Sequence, residues 1–169
     1  MITLQDYLLA FETYQSRAHD IDETMASGFK SLDDKFTTSM TCIKLNLPAV
    51  PISFCIDNSL LLSYRDAEKN NLVKYAIQNS CILFLDYFIK CQDPVINSVI
   101  DLFEDEPLLH FALKHECGYL PLYETMLRKY VPIDLQNSLG ETLIFVTLRS
   151  YSLNSIFKSN LVQLLLKMR

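Results

Sequence analysis

Four short apolar helical patterns recur at nearly constant spacing along this chain. They open at Met40, Val73, Leu109 and Ile144, in steps of 33, 36 and 35 residues. A period of that length restricts the architecture more than any composition does. Each unit is too small to bury its own apolar face, so neighbours have to stack and share one continuous core. A second pattern follows each of the first, over 52–56, 84–88, 123–127 and 162–166, with apolar residues at i, i+3 and i+4 as in Val162, Leu165 and Leu166. The expectation is an all-α chain of helix-turn-helix units.

Turn-forming segments precede these patterns. Residues 33–38, 66–71 and 137–142 align, and in each an Asx or Thr side chain is placed to close the turn and cap the following helix. The fullest copy runs Ile133-Asp134-Leu135-Gln136-Asn137-Ser138-Leu139-Gly140-Glu141-Thr142. Together with Pro107-Leu108-Leu109-His110-Phe111-Ala112 it resembles the ankyrin repeat, whose pattern is roughly D-x-x-G-x-T-P-L-H-x-A, a short loop, V-x-x-L-L-x-x-G and a hairpin. The resemblance covers residues 33–169, about four degenerate repeats. It implies an ankyrin-repeat solenoid. Residues 1–32 carry no copy of the motif. Thr3 and Asp6 mark a helix start, and Leu4, Tyr7, Leu8, Phe11 and Tyr14 form one stripe, so this segment is read as a helical amino-terminal cap.

The departures from the pattern are specific. Lys69 and Asp105 stand where the turn glycine belongs, and Ser59, Cys91, Tyr130 and Arg169 follow the second helices in place of glycine. Strained or reshaped turns are expected at those places, because a side chain disfavours positive φ. Longer connections are expected around 92–97 and 151–160. Pro48 and Pro51 fit only if a helix starts there, with proline in its first turn.

The residues offer little catalytic chemistry. His110 occupies the place at which an ankyrin histidine orders a turn through backbone groups, a structural role. A Cys–His enzyme built on Cys117 with His110 or His115 is the alternative reading, but a spacing of two turns side chains away from each other on a helix. His110, His115 and Cys117 fail as a metal site on the same geometry and lack a fourth ligand. Asp101, Glu104, Asp105 and Glu106 lack the loop glycine and ligand spacing of a calcium hand. No cofactor is expected.

Composition closes off other classes. Twenty Asp and Glu against fifteen Lys and Arg leave a net charge of −5, and Lys158, Lys167 and Arg169 are too sparse for a nucleic-acid groove. The most apolar run, 81–89, is short and holds Asp86, so no membrane span is expected. Five cysteines in apolar contexts without a C-x-x-C pair read as reduced thiols. Low glycine content and heavy use of Leu, Asn, Ser and Lys are similar to bacterial effectors delivered into host cells and to viral ankyrin proteins. That resemblance implies a cytoplasmic site of action, the host cytosol for an effector.

What the ankyrin resemblance implies about function is a protein-interaction module, not an enzyme, binding a protein or peptide partner across a concave surface. The family-like contact positions are Glu68 and Asn70 in the second repeat, Asp101, Phe103, Glu104 and Glu106 in the third, and Leu139 and Glu141 in the fourth. Their carboxylates are expected to sum into one acidic edge that favours a basic partner, with Phe103 and Leu139 as apolar contacts. The last helix keeps an apolar stripe with no following repeat, so either self-association there or a missing downstream segment is expected, with Leu164 and Met168 as the exposed apolar residues.

Overall fold

The computed structural model describes residues 31–104 and 106–168, which hold ten α-helices and no strand. The expected cap over 1–32 falls almost wholly outside the described residues. The helices are α1 (Leu32–Lys44), α2 (Ala49–Asp57), α3 (Leu60–Ser63), α4 (Leu72–Gln78), α5 (Ile82–Phe88), α6 (Asp93–Ile100), α7 (Leu108–Lys114), α8 (Leu120–Lys129), α9 (Leu143–Arg149) and α10 (Ser155–Lys167). The longest has 13 residues, and no helix among the described residues is long and apolar enough to cross a membrane.

Packing follows chain order. α1 lies against α4, α3 against α6 and α7 against α9, while α2 contacts α5, α5 contacts α8, and α8 contacts α10. The core between these helices buries Ile43, Phe84, Leu85, Phe88, Leu109, Tyr123, Met126 and Leu165. Tyr123 enters this core with its hydroxyl satisfied, donating to the Cys117 carbonyl at 2.9 Å.

The link between paired helices is built the same way three times. The amides of Asn46, Ser80 and Glu116 donate to the carbonyls of Ile43, Ile77 and Leu113, and those of Leu47, Cys81 and Cys117 to Cys42, Ala76 and Ala112. This is the paired closure of a Schellman motif, and it demands a left-handed residue at its turn. Asn46, Ser80 and Glu116 supply it, with φ of 57°, 50° and 56°. The strain expected after the second helices, at Ser59, Cys91 and Tyr130, is therefore displaced: none of those three has positive φ, and the left-handed residues sit between the helices of each pair. After α9 no such turn forms. The Lys158 ammonium instead donates to the carbonyls of Leu148 (2.7 Å) and Ser150 (2.9 Å), closing that helix end with a cation where its dipole is negative.

Four further expectations are corrected. Residues 33–38 do not form a turn: Ser31 and Asp34 make a reciprocal capping box, so the helix starts at Leu32 and absorbs the segment. The connection around 92–97 is a helix, α6, started by Asp93 and Pro94 and buried through Ile96 and Val99. The connection at 151–160 is shorter than expected, because Asn154 caps α10 by accepting from the amides of Ile156 and Phe157. Thr142 makes no side-chain cap, whereas Asn71 caps α4 through the Lys74 amide at 2.8 Å. The prolines behave as anticipated, with Pro48 at the N-cap of α2 and Pro51 in its first turn.

Candidate interaction surface

Two turn tips share one construction. Asp66 Oδ1 accepts from the amides of Glu68 (2.9 Å) and Asn70 (2.8 Å); Asn137 Oδ1 accepts from those of Leu139 (3.0 Å) and Glu141 (2.9 Å). The backbone amide of Asp66 donates to the Asn70 carbonyl and that of Asn137 to the Glu141 carbonyl, both at 3.0 Å. A short polar side chain thus replaces a strand pairing as the fastener of each tip. A single antiparallel bridge, Gln136 to Thr142, completes the second. Lys69 and Gly140 hold the same place, with φ of 60° and 76°. Lysine at the glycine position leaves the turn unreshaped; it adopts the strained conformation.

His110 ties two units together. Its Nε2 lies 3.0 Å from the Glu141 carbonyl, so it donates to the tip ahead of α9, and the ring is buried with Nδ1 lacking a partner. Burial pushes its pKa down, against the raising effect of the Glu141 carbonyl and the carboxylates of Glu106 and Glu141. A neutral ring carrying its proton on Nε2 fits this setting, and that is the turn-ordering role the sequence suggested.

The acidic edge is not free. Arg65 pairs with Glu104 at 3.0 Å, Lys114 with Glu106 at 3.1 Å, and Arg149 meets both carboxylate oxygens of Glu141. The Arg65 guanidinium holds the Glu104 carboxyl below its usual range. Glu68 remains exposed and takes a weak contact from Asn70 Nδ2 at 3.4 Å, and Asp101 is exposed at the end of α6. Lys114 and Arg149 lie eight residues from their carboxylates, whereas Arg65 reaches Glu104 from 39 residues earlier, a pairing that no local reading of the sequence shows.

The two apolar contacts diverge. Leu139 projects from its tip and is among the most exposed leucines. Phe103 is buried: it packs edge-on against Phe111, with ring centroids 5.6 Å apart, and the Lys74 ammonium stands 5.3 Å from its ring centre. An aromatic ring so enclosed offers no surface to a partner, so Phe103 is a core residue and not a contact.

The structure adds a groove that sequence reasoning missed. About 410 Å³ opens between α1 and the Asp66 tip. Phe36, Tyr64 and Tyr75 make its aromatic wall, with Phe36 5.0 Å from Tyr64 and 6.5 Å from Tyr75 between ring centroids. Asp33, Glu68, Lys44 and Arg65 lie around it. Tyr64 donates to Asp33 (3.0 Å) and Tyr75 to Asp66 (2.6 Å), which orients both rings. Tyr75 is pushed up to about 12 by burial and then by Asp66, and Tyr64 is raised chiefly by its bond to Asp33. Only the packing of α1 on α4 brings these residues together, and no local pattern announces it.

The nucleophile candidate is enclosed. Cys117 is buried and burial raises its thiol pKa, the opposite of what a thiolate nucleophile needs. His115 stacks on Phe111 with ring centroids 4.4 Å apart. Among the described residues no group of three His, Cys, Asp or Glu is placed to hold a metal ion, and all five cysteines are free. No protein family, no curated protein and no solved structure matches this chain.

Proposed function

We propose that this chain is an ankyrin-type solenoid acting as a protein-recognition module, binding an exposed peptide segment of another protein by contact and not by catalysis. The observation that carries the reading is the repetition of one construction: the Asp66 and Asn137 tips are fastened by the same bonds, and His110 reaches forward to the second. Tips fastened by their own hydrogen bonds present side chains at a lower entropy cost than a loop that must be ordered on binding. Buried Cys117 supports binding over Cys–His chemistry, and five free thiols support a reducing compartment such as the cytoplasm.

The favoured ligand is a peptide carrying an apolar side chain beside a lysine or arginine. The apolar group covers the half-buried Tyr64 and Met40, with Phe36 and Tyr75 buried behind them, and the base lies near Asp33 and Glu68, with Leu139 as a second apolar contact further along. Because Glu104, Glu106 and Glu141 are already paired, the attraction to a basic ligand is local to this groove and does not extend along the whole edge.

A random peptide library selected on the immobilised full chain tests this. Enriched peptides should combine basic and apolar residues, and should bind Glu68→Lys far more weakly while that variant keeps its helical spectrum. Selection without enrichment, or peptides that bind Glu68→Lys and wild type equally, would defeat the proposal.

A further inference from the structure

The end of the stack formed by α9 and α10 carries the surface that earlier units bury. The sixth residue of α4, α7 and α9 is Ile77, Leu113 and Leu148; the first two are 0% and 3% exposed and the last 55%. The third residue of α7, His110, is 3% exposed and bonds the following tip, whereas its counterpart in α9, Phe145, is 55% exposed. The outer helices repeat the contrast. Leu122, Tyr123, Met126 and Leu127 of α8 are all buried, while of the matching residues in α10 only Leu161 and Leu165 are; Val162 is half-buried and Leu166 is 57% exposed. Leu164 and Met168, expected from the sequence to be exposed, are half-buried against the core instead. Phe145, Leu148 and Leu166 therefore stand at stacking positions with nothing among the described residues stacked on them, and Tyr151, in the bend that follows the extended C-cap Ser150, is 98% exposed.

From this we infer that the face is a self-association surface, covered by the same face of a second copy. Two features select a second copy as the occupant. The first is charge. A twofold axis brings the same patch against itself, so a patch of one net charge meets its like and such a face tolerates little unpaired charge. Near the residues of this face in sequence stand Ser150, Ser152, Ser155, Ser159 and Gln163; Arg149 is neutralised by Glu141, Lys158 keeps its charge but is held by two carbonyls, and Lys167, beside Leu166, is exposed. The second is area. Phe145, Leu148, Tyr151 and Leu166 leave roughly 500 Å² exposed, so pairing two copies buries about 1,000 Å² before any rim residue is added, the lower bound for a specific interface. The surface is separate from the groove at Phe36 and Tyr64, and the inference stands whether or not that groove binds peptide.

Light scattering after size exclusion, and sedimentation equilibrium, on the full chain from low micromolar to near-millimolar concentration test the proposal. The apparent mass should rise from 19.5 kDa toward twice that value as concentration increases. Leu148→Glu should abolish the rise, and Leu166→Lys, on the other helix, should do the same; circular dichroism reports that each is folded. Leu139→Glu, at a still more exposed leucine on a tip, should leave the rise unchanged. A wild-type chain that stays at monomer mass throughout, a dimer that survives both end-face variants, or one lost with Leu139→Glu would overturn it.

Discussion

Glycine-to-alanine substitution at two positions should change stability in opposite directions. Gly140 lies at φ 76° in the Asn137 tip, and a methyl group there would meet nothing closer than Gln136 Oε1 at 3.9 Å. Space is therefore not the obstacle. The cost is conformational, about 1–2 kcal/mol for a side chain in the left-handed region, offset by the smaller loss of freedom in the unfolded chain. Gly140→Ala should destabilise by roughly 1 kcal/mol net. Gly118, between α7 and α8, has ordinary φ and no atom within 4 Å of the added methyl. There only the unfolded-state effect remains, and Gly118→Ala should stabilise by about 0.4–1 kcal/mol. In urea, with a slope near 2 kcal/mol/M, the midpoint should fall by about 0.5 M for the first and rise by about 0.3 M for the second, at unchanged slope. If both variants moved the midpoint the same way, the left-handed geometry of the tip would not be the source of the effect.

Acid should weaken the fold through His110. Burial depresses its folded pKa from the ordinary 6.5, so the unfolded chain takes up its proton first; the stability is present above that value and is lost as pH falls through the folded one. Thermal melts across this range should show the loss, and His110→Gln should lessen it; an unaltered pH profile in the variant would exclude His110 as the cause. Leu109→Ala and Leu165→Ala, at two buried core positions, should each cost about 2–5 kcal/mol, seen first as loss of the α7–α10 signal in denaturation, and unchanged curves would contradict the packing described. Cys117 should resist a mild alkylating reagent under native conditions while half-buried Cys42 and Cys91 react faster, as peptide mapping would show; rapid labelling of Cys117 would revive the enzyme reading.

Electrostatics is where local reading and packing part most clearly. Glu104 reads as a free acid beside Asp101 and Glu106, yet Arg65, 39 residues earlier, meets it. The same holds for the tyrosine–aspartate bonds Tyr64 to Asp33, Tyr119 to Asp86 and Tyr130 to Asp93, which join residues 31, 33 and 37 apart. Those separations are close to the steps of 33, 36 and 35 residues between the sequence patterns, so each of these phenols reaches back to a carboxylate about one step earlier. The bonds of Tyr64 and Tyr130 are exposed, and exposed contacts add little stability singly; that of Tyr119 is partly buried.

What the sequence determined by itself is the set of local choices whose information is local. The apolar patterns over 73–76, 109–112 and 144–147 fall inside helices at 72–78, 108–114 and 143–149, since a helix is encoded within a few turns of itself. Asp66 and Asn137 could be read as turn fasteners for the same reason, as could Pro48 and Pro51 at a helix start. Even there one local signal outweighed another: the Ser31–Asp34 capping box made helix of a segment that aligned with turns. The tertiary structure alone decided which side chains share a surface. Phe103 looks like a tip residue until Phe111 and Lys74 enclose it, and Phe36, Tyr64 and Tyr75 become one groove wall only when α1 packs on α4. Burial and pairing depend on neighbours a full unit away in sequence, and no window of residues contains them.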